Sequence, residues 1–86
     1  MRVAIPSPLF SYTSGEKEIE GAGGSLAQLL TFLDSRYPGM RHRIIDEQDR
    51  IRPHIRFFVN GEGVKNLDCP LRRDDEVIIV AALSGG

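Results

Sequence analysis

The residues best suited to chemistry stand at the end of the chain, in "AALSGG". Gly85 and Gly86 are poor at holding a defined structure, and chain ends are poorly ordered unless tied down. A free α-carboxylate ionises at about pKa 3.3–3.7, so it is anionic at neutral pH without an activating base. With no Cβ on either residue, such an end can thread a narrow channel. The terminal carboxylate of Gly86 is therefore the first candidate for a working group. Other candidates are weaker. Cys69, the one cysteine, lies in "LDCPL" with no histidine or basic residue within two positions, and reads as a small buried or half-buried thiol rather than a nucleophile. A single cysteine also excludes an internal disulfide and the multi-cysteine zinc patterns. His42 and His54 have no third ligand at a metal spacing and read as surface or loop histidines, so no metal site is expected. Asp74, Asp75 and Glu76 could be taken for paired carboxylates, but a charged turn leading into a strand accounts for them better.

Eighty-six residues with 41% hydrophobic and 27% charged content describe one small soluble domain, residues 1–86, with little room for an enclosed active site. Net charge is −1 and charges of both signs are interspersed, which gives no footprint for nucleic acid or an anionic membrane. Arg41, Arg43, Arg50, Arg52 and Arg56 form a basic stretch, yet Asp46, Glu47 and Asp49 interrupt it, so it reads as a solvated face before a phosphate site. No apolar run approaches the roughly 20 residues of a membrane span, and no signal-peptide pattern opens the chain. The expected compartment is the cytoplasm.

Several elements must position that end. "RVAIPSPLFSYT" predicts a strand over Arg2–Ile5, with an irregular continuation forced by Pro6 and Pro8. "GEKEIEG" predicts a second strand, joined to the first through a turn at Thr13–Gly15. In "SLAQLLTFLDSRYPG", Leu26, Leu29, Leu30 and Leu33 fall at i, i+3, i+4 and i+7, the stripe of an amphipathic helix. Ser25 and Gln28 fit a capping box, while Pro38 and Gly39 supply the stop. Met40 to Ile45 can add a short helical turn. "HIRFFVNGEGV" predicts a strand ending in an Asn60-Gly61 hairpin. "DDEVIIVAAL" predicts a final strand that is apolar on both faces, hence central, and able to pair with the first.

This order, the "FFVNGEGV" hairpin, "PLRRDDEVIIV" and the closing Gly-Gly together resemble the ubiquitin-like β-grasp sulfur carriers. That group includes the small subunit of molybdopterin synthase, the thiamin sulfur carrier and the cysteine-synthesis carrier. The likeness runs from the first strand to the last residue. It implies an α+β fold, a β-grasp roll with a mixed sheet of four to five strands, one main helix across it and a flexible C-terminal tail over residues 82–86. "VAIPSPL" and "SRYPGMRHRIID" look most like the cysteine-synthesis type. Thiamin carriers are shorter, and Ala81-Ala82-Leu83 stands where molybdopterin-type subunits often carry prolines. One departure is Arg73-Asp74, where such carriers commonly have Asp-Gly. If that turn needs a positive φ, Asp74 must supply it.

The resemblance implies that the Gly86 carboxylate, with Gly85 behind it, is adenylated by a ubiquitin-activating-like, ATP-dependent enzyme. The adenylate becomes a thiocarboxylate that donates sulfur to a downstream acceptor enzyme, cysteine synthase-like or molybdopterin synthase large subunit-like. The chain itself is then a carrier rather than an enzyme, a monomer when free, with no tightly bound cofactor, since the partner uses the ATP. A docking surface should accompany the tail. Strand alternation sets Val77, Ile79 and Phe57 toward the helix and leaves Phe58, Ile78 and Val80 outward. With Ala82, Leu83 and Ser84 these form the expected partner-binding set; a parity error, or coverage by the early loop, would remove the patch. Two further readings stand beside this one: a ubiquitin-like modifier conjugated through Gly86 to lysines, and a β-grasp interaction domain with an inert tail.

Overall fold

The leucine stripe becomes the buried face of a helix, α1 (Leu26–Arg36), in a computed structural model that describes residues 1–82. Leu26, Leu29, Leu30 and Leu33 are all buried, each contributing roughly 1.5–3 kcal/mol of transfer free energy. The Gln28 N–H donates to Ser25 Oγ (3.2 Å), and the Gly24 N–H donates to Gln28 Oε1 (2.7 Å). A capping box returns its side chain to the cap residue itself; here the return bond lands one residue earlier, on Gly24. Tyr37 ends the helix by donating its N–H to the Leu33 carbonyl, and Gly39, at φ 95°, turns the chain into a short second helix, α2 (Met40–Ile44). Asp34 Oδ1 accepts from the N–H groups of Gly39 and Arg41, so the end of α1 also caps the start of α2.

Five strands follow the predicted order: β1 (Arg2–Ala4), β2 (Glu18–Glu20), β3 (Ile55–Val59), β4 (Glu62–Val64) and β5 (Glu76–Ala81). They form one sheet in the order β2-β1-β5-β3-β4. β5 is central, parallel to β1 and antiparallel to β3, which makes the sheet mixed. Its apolar composition on both faces suits that position. The β3–β4 hairpin turns on Asn60 (φ 51°) and Gly61 (φ 86°), the two left-handed residues that a type I′ turn requires. A mixed five-strand sheet crossed by one main helix is the β-grasp arrangement that the resemblance implies.

Two local expectations are corrected. β1 stops at Ala4, and the prolines after it open a 3₁₀ helix, Ser7–Tyr12, before the turn that leads to β2. Asp74 does not adopt a positive φ. The turn closes instead through the Asp75 N–H to the Arg72 carbonyl (3.1 Å) and the Arg72 N–H to Asp75 Oδ2 (2.7 Å). The turn therefore needs no positive φ at Asp74, because the side chain one residue later closes it. The core lies between α1, α2 and the inner sheet face, with Val3, Ile19, Ile55, Phe57, Val77 and Ile79 on the sheet side.

Candidate functional site

Alternation along β5 sends Val77 and Ile79 into the core and leaves Ile78 and Val80 outward, each 39% exposed. These two are the exposed large hydrophobic residues among those described. Phe58 lies directly opposite Ile78 on β3 and is half-buried; Phe57, its neighbour in sequence, is buried. The expected parity of Phe57, Phe58, Val77, Ile78, Ile79 and Val80 is therefore the observed one. The cross-strand register adds two residues that alternation alone does not supply. Ala4 pairs with Ile78 on its other side, and Gly63 pairs with Phe58. Ala4, Ile78, Phe58 and Gly63 thus form one row across four strands, and the Phe58 ring extends to ordinary contact distance of the Gly63 position. A side chain at Gly63 would compete with whatever lies on that row.

Charge bounds the row at both ends of the strands. Toward the start of β5 stand Glu76, its partner Arg2 on β1 and Glu20 beyond, with Arg2 Nε 3.3 Å from Glu18 Oε1. Toward the end of β5, Val80 pairs with Arg56. Phe58, Ile78 and Val80 thus form a short outward apolar row with charged residues at both of its ends.

The start of β5 is clamped. The Asn60 side chain donates to Asp75 Oδ1 (2.9 Å), and the Glu76 N–H donates to Asn60 Oδ1 (3.0 Å). The Arg72 N–H, and after it the Asn60 amide, hold the Asp75 carboxyl below its ordinary range. This hydrogen bonding is the structural use of the acidic cluster at Asp74, Asp75 and Glu76. At the other end, the Ala82 N–H donates to the His54 carbonyl (2.8 Å), one step past the last strand residue. Ala82 itself is exposed. Leu83, Ser84, Gly85 and Gly86 lie outside the described residues.

His42 and His54 both lie at this end of the sheet. They line a cleft of about 470 Å³ with Arg43, Arg52 and Ala81. Linear spacing gave no sign of this grouping, because the polar loop between the histidines closes on itself through an Ile45–Ile51 bridge. Among the described residues no group of three His, Cys, Asp or Glu could hold a metal ion. Cys69 is half-buried and its Sγ faces the Pro70 carbonyl at 3.6 Å. No helix among them is long and apolar enough to cross a membrane.

The ThiS family model matches residues 3–86 of the chain. The sulfur carrier protein CysO of Mycobacterium tuberculosis is 29% identical over 89 residues, spanning 98% of this chain and 96% of that protein. A chain of the crystal structure of the Amycolatopsis orientalis BexX/CysO complex superposes with a TM-score of 0.90 at 30% identity, covering 99% of this chain and 98% of that one. The small archaeal modifier protein 1 of Methanosarcina acetivorans superposes with a TM-score of 0.80 at 23% identity, covering 99% and 94%. At that identity the second structural likeness speaks for the fold alone.

Proposed function

The chain belongs to the ThiS family, and from that premise we propose that it is a sulfur carrier working through the carboxylate of Gly86. The proposed sequence begins on a partner enzyme, where a Gly86 carboxylate oxygen attacks the α-phosphorus of ATP and pyrophosphate leaves. A sulfide-equivalent donor then attacks the acyl carbon, AMP departs with the transferred oxygen, and a thiocarboxylate remains. The thiocarboxylate sulfur then attacks an acceptor and displaces its leaving group. Water afterwards attacks the acyl carbon, the acyl C–S bond breaks, the sulfur stays with the acceptor and the carboxylate is restored. Adenylation turns a poor electrophile into a good one, and the partner supplies the catalytic groups, so no catalytic side chain is assigned to this chain. Its need for ATP leads us to expect the cytoplasm.

One observation carries the reading. The central strand ends beside an outward apolar row, and the last of its bonds among the described residues, Ala82 N–H to the His54 carbonyl, stands four residues before Gly86. Four residues, fully extended, span at most about 13–14 Å. A partner resting on Phe58, Ile78 and Val80 would then find the carboxylate within that radius of the end of β5. That the Amycolatopsis relative stands in a complex with BexX supports a carrier that works on a partner protein. The CysO relatives favour delivery of the cysteine-synthesis type over the molybdopterin type.

The test is the mass of the C-terminal peptide from protein purified out of its own cells. We expect a fraction carrying the oxygen-to-sulfur increase. A carboxylate alone, together with unchanged function on deletion of Gly86, would overturn the carrier reading. Gly-Gly remnants on lysines of other proteins would replace it with the modifier.

A further inference from the structure

The basic stretch between residues 41 and 56 is divided by the fold into two kinds of arginine. Arg41 Nη2 lies 3.3 Å from Asp49 Oδ1, and Arg50 Nε lies 3.9 Å from Asp46 Oδ2. The other three are braced by neutral oxygens. Arg43 Nε donates to the Tyr12 hydroxyl (2.9 Å), Arg52 Nε to the His42 carbonyl (2.8 Å), and Arg56 Nη1 to the carbonyls of Pro53 (2.7 Å) and Ile55 (3.0 Å). Among the described residues, none of these three has a carboxylate within ion-pair distance. Asp46, whose carboxyl is influenced by Arg52, already accepts from the N–H groups of Arg50 and Gln48 (2.9 Å each). A neutral acceptor fixes the guanidinium without neutralising it. Holding uncompensated like charges in one region is unfavourable for the free chain, but it lowers the ordering cost of meeting an anion.

All three lie at one place. Arg43 and Arg52 line the cleft that reaches Ala81, which has no acidic residue in its walls. Arg56 pairs across the strands with Val80, and with Arg52 it lines a second cleft of about 660 Å³, whose walls also carry Asp49, the ion-pair partner of Arg41. The cations therefore stand around the point where the strand hands the chain on toward Gly86. An apolar row attracts without direction; discrete charges beside it would fix the register of a partner.

We propose that Arg43, Arg52 and Arg56 receive Asp or Glu side chains of the protein that takes up the Gly86 carboxylate. Naming that partner rests on the sulfur-carrier reading above; the preference for carboxylates rests on the arginines alone. Discrete acidic side chains fit better than a polyanion, because Glu18, Glu20 and Glu76 lie on the same sheet and the chain carries a net charge of −1. A nucleic acid laid across the sheet would meet those carboxylates.

The test is an amide NMR titration of the full chain with the peptide acetyl-Gly-Glu-Asp-Glu-Gly-amide, against its Gln/Asn/Gln counterpart, inorganic phosphate and a single-stranded oligonucleotide. The acidic peptide should shift the signals of Arg43, Arg52, His54 and Ala82, and the neutral one should not. Added salt should weaken those shifts. Arg43→Gln with Arg52→Gln should raise the apparent dissociation constant at least about tenfold, with unmoved core signals reporting an intact fold. If that variant does not fold, Arg52→Gln alone and the salt series carry the same comparison. Equal shifts from both peptides, no shifts, or unchanged binding by the arginine variants would overturn the proposal. Tighter binding of phosphate or the oligonucleotide at the same signals would also overturn it. The Gly86 mass measurement is separate. A thiocarboxylate without peptide shifts sinks only the acidic partner, whereas shifts without a thiocarboxylate sink the carrier reading and leave the arginine site standing.

Discussion

Val77 and Val80 sit three residues apart on the same strand, yet one is 1% exposed and the other 39%. Phe57 and Phe58 repeat the contrast on the neighbouring strand, the first buried and the second half-buried. Residue type does not separate the two faces of this sheet. The helix does: α1 covers the inner face, and nothing in the described chain covers the outer one to the same degree. Apolar residues on the inner face therefore hold the fold together. Identical residues on the outer face have burial still to gain among the described residues. On the function proposed above, partner recognition would fall to the parity opposite the one that carries stability.

The largest expected effect tests the inner half of that contrast. Phe57→Ala removes a ring that is 1% exposed, and should lower stability by about 3–5 kcal/mol, read as the shift of a urea or thermal midpoint. Phe58→Ala, one residue on, should cost about 1 kcal/mol or less. Equal losses at the two positions would break the comparison between the faces.

Next in size is the outer half. Val80→Asp should leave the unfolding midpoint within about 0.5 kcal/mol of the parent. It should still slow adenylation by the partner enzyme about tenfold or more, because a charge would be carried into the apolar part of the contact. A Val80→Asp chain that fails to fold would show that the outer residue also belongs to the core. A chain that folds and is adenylated at the parent rate would remove the outer row from partner binding.

Much of this contrast can be read in the amino-acid sequence, since it depends on periodicity. The leucine stripe has period 3.6, the strand alternation period 2, and Asn-Gly marks its own turn. What periodicity does not carry is partnership across loops. Acids interrupt the basic stretch, which suggests uniform neutralisation. Yet among the described residues the ion pairs of Asp46 and Asp49 are with Arg50 and Arg41, while Arg43 reaches Tyr12, which belongs to the 3₁₀ helix after β1. That helix was legible only as an irregular continuation, because two prolines mark where a strand stops without selecting the element that replaces it. Asp74 illustrates the same limit. The turn before β5 is closed by the Asp75 side chain, and a side-chain hydrogen bond leaves no periodic trace.

A smaller test concerns the helix that creates the difference between the faces. Ser25→Ala removes the oxygen that accepts the Gln28 N–H, and should cost about 1 kcal/mol. If α1 acts on the sheet only as a cover, that loss should appear in the unfolding midpoint and leave the adenylation rate of the folded chain unchanged. A slower adenylation at full folding would mean that the two faces are coupled through the sheet.

The smallest effect is a dependence on pH at the start of β5. Asp75 accepts from the Arg72 N–H and from the Asn60 amide, and these bonds, in that order, hold its carboxyl below the ordinary value of 3.8. A carboxyl depressed in the folded state binds its proton less readily there than in the unfolded chain. Its contribution is therefore fully present above pH 3.8 and is lost as the pH falls through the lower folded value. Asp75→Asn should unfold at lower urea than the parent near neutral pH, and the gap should close as the solution is acidified below that value. Because Asn60 joins this clamp to the β3–β4 turn, the inner and outer residues of β5 should loosen together, with adenylation following the loss of fold and not preceding it. A gap that persists undiminished in acid would assign the contribution of Asp75 to the shape of the turn and not to its charge.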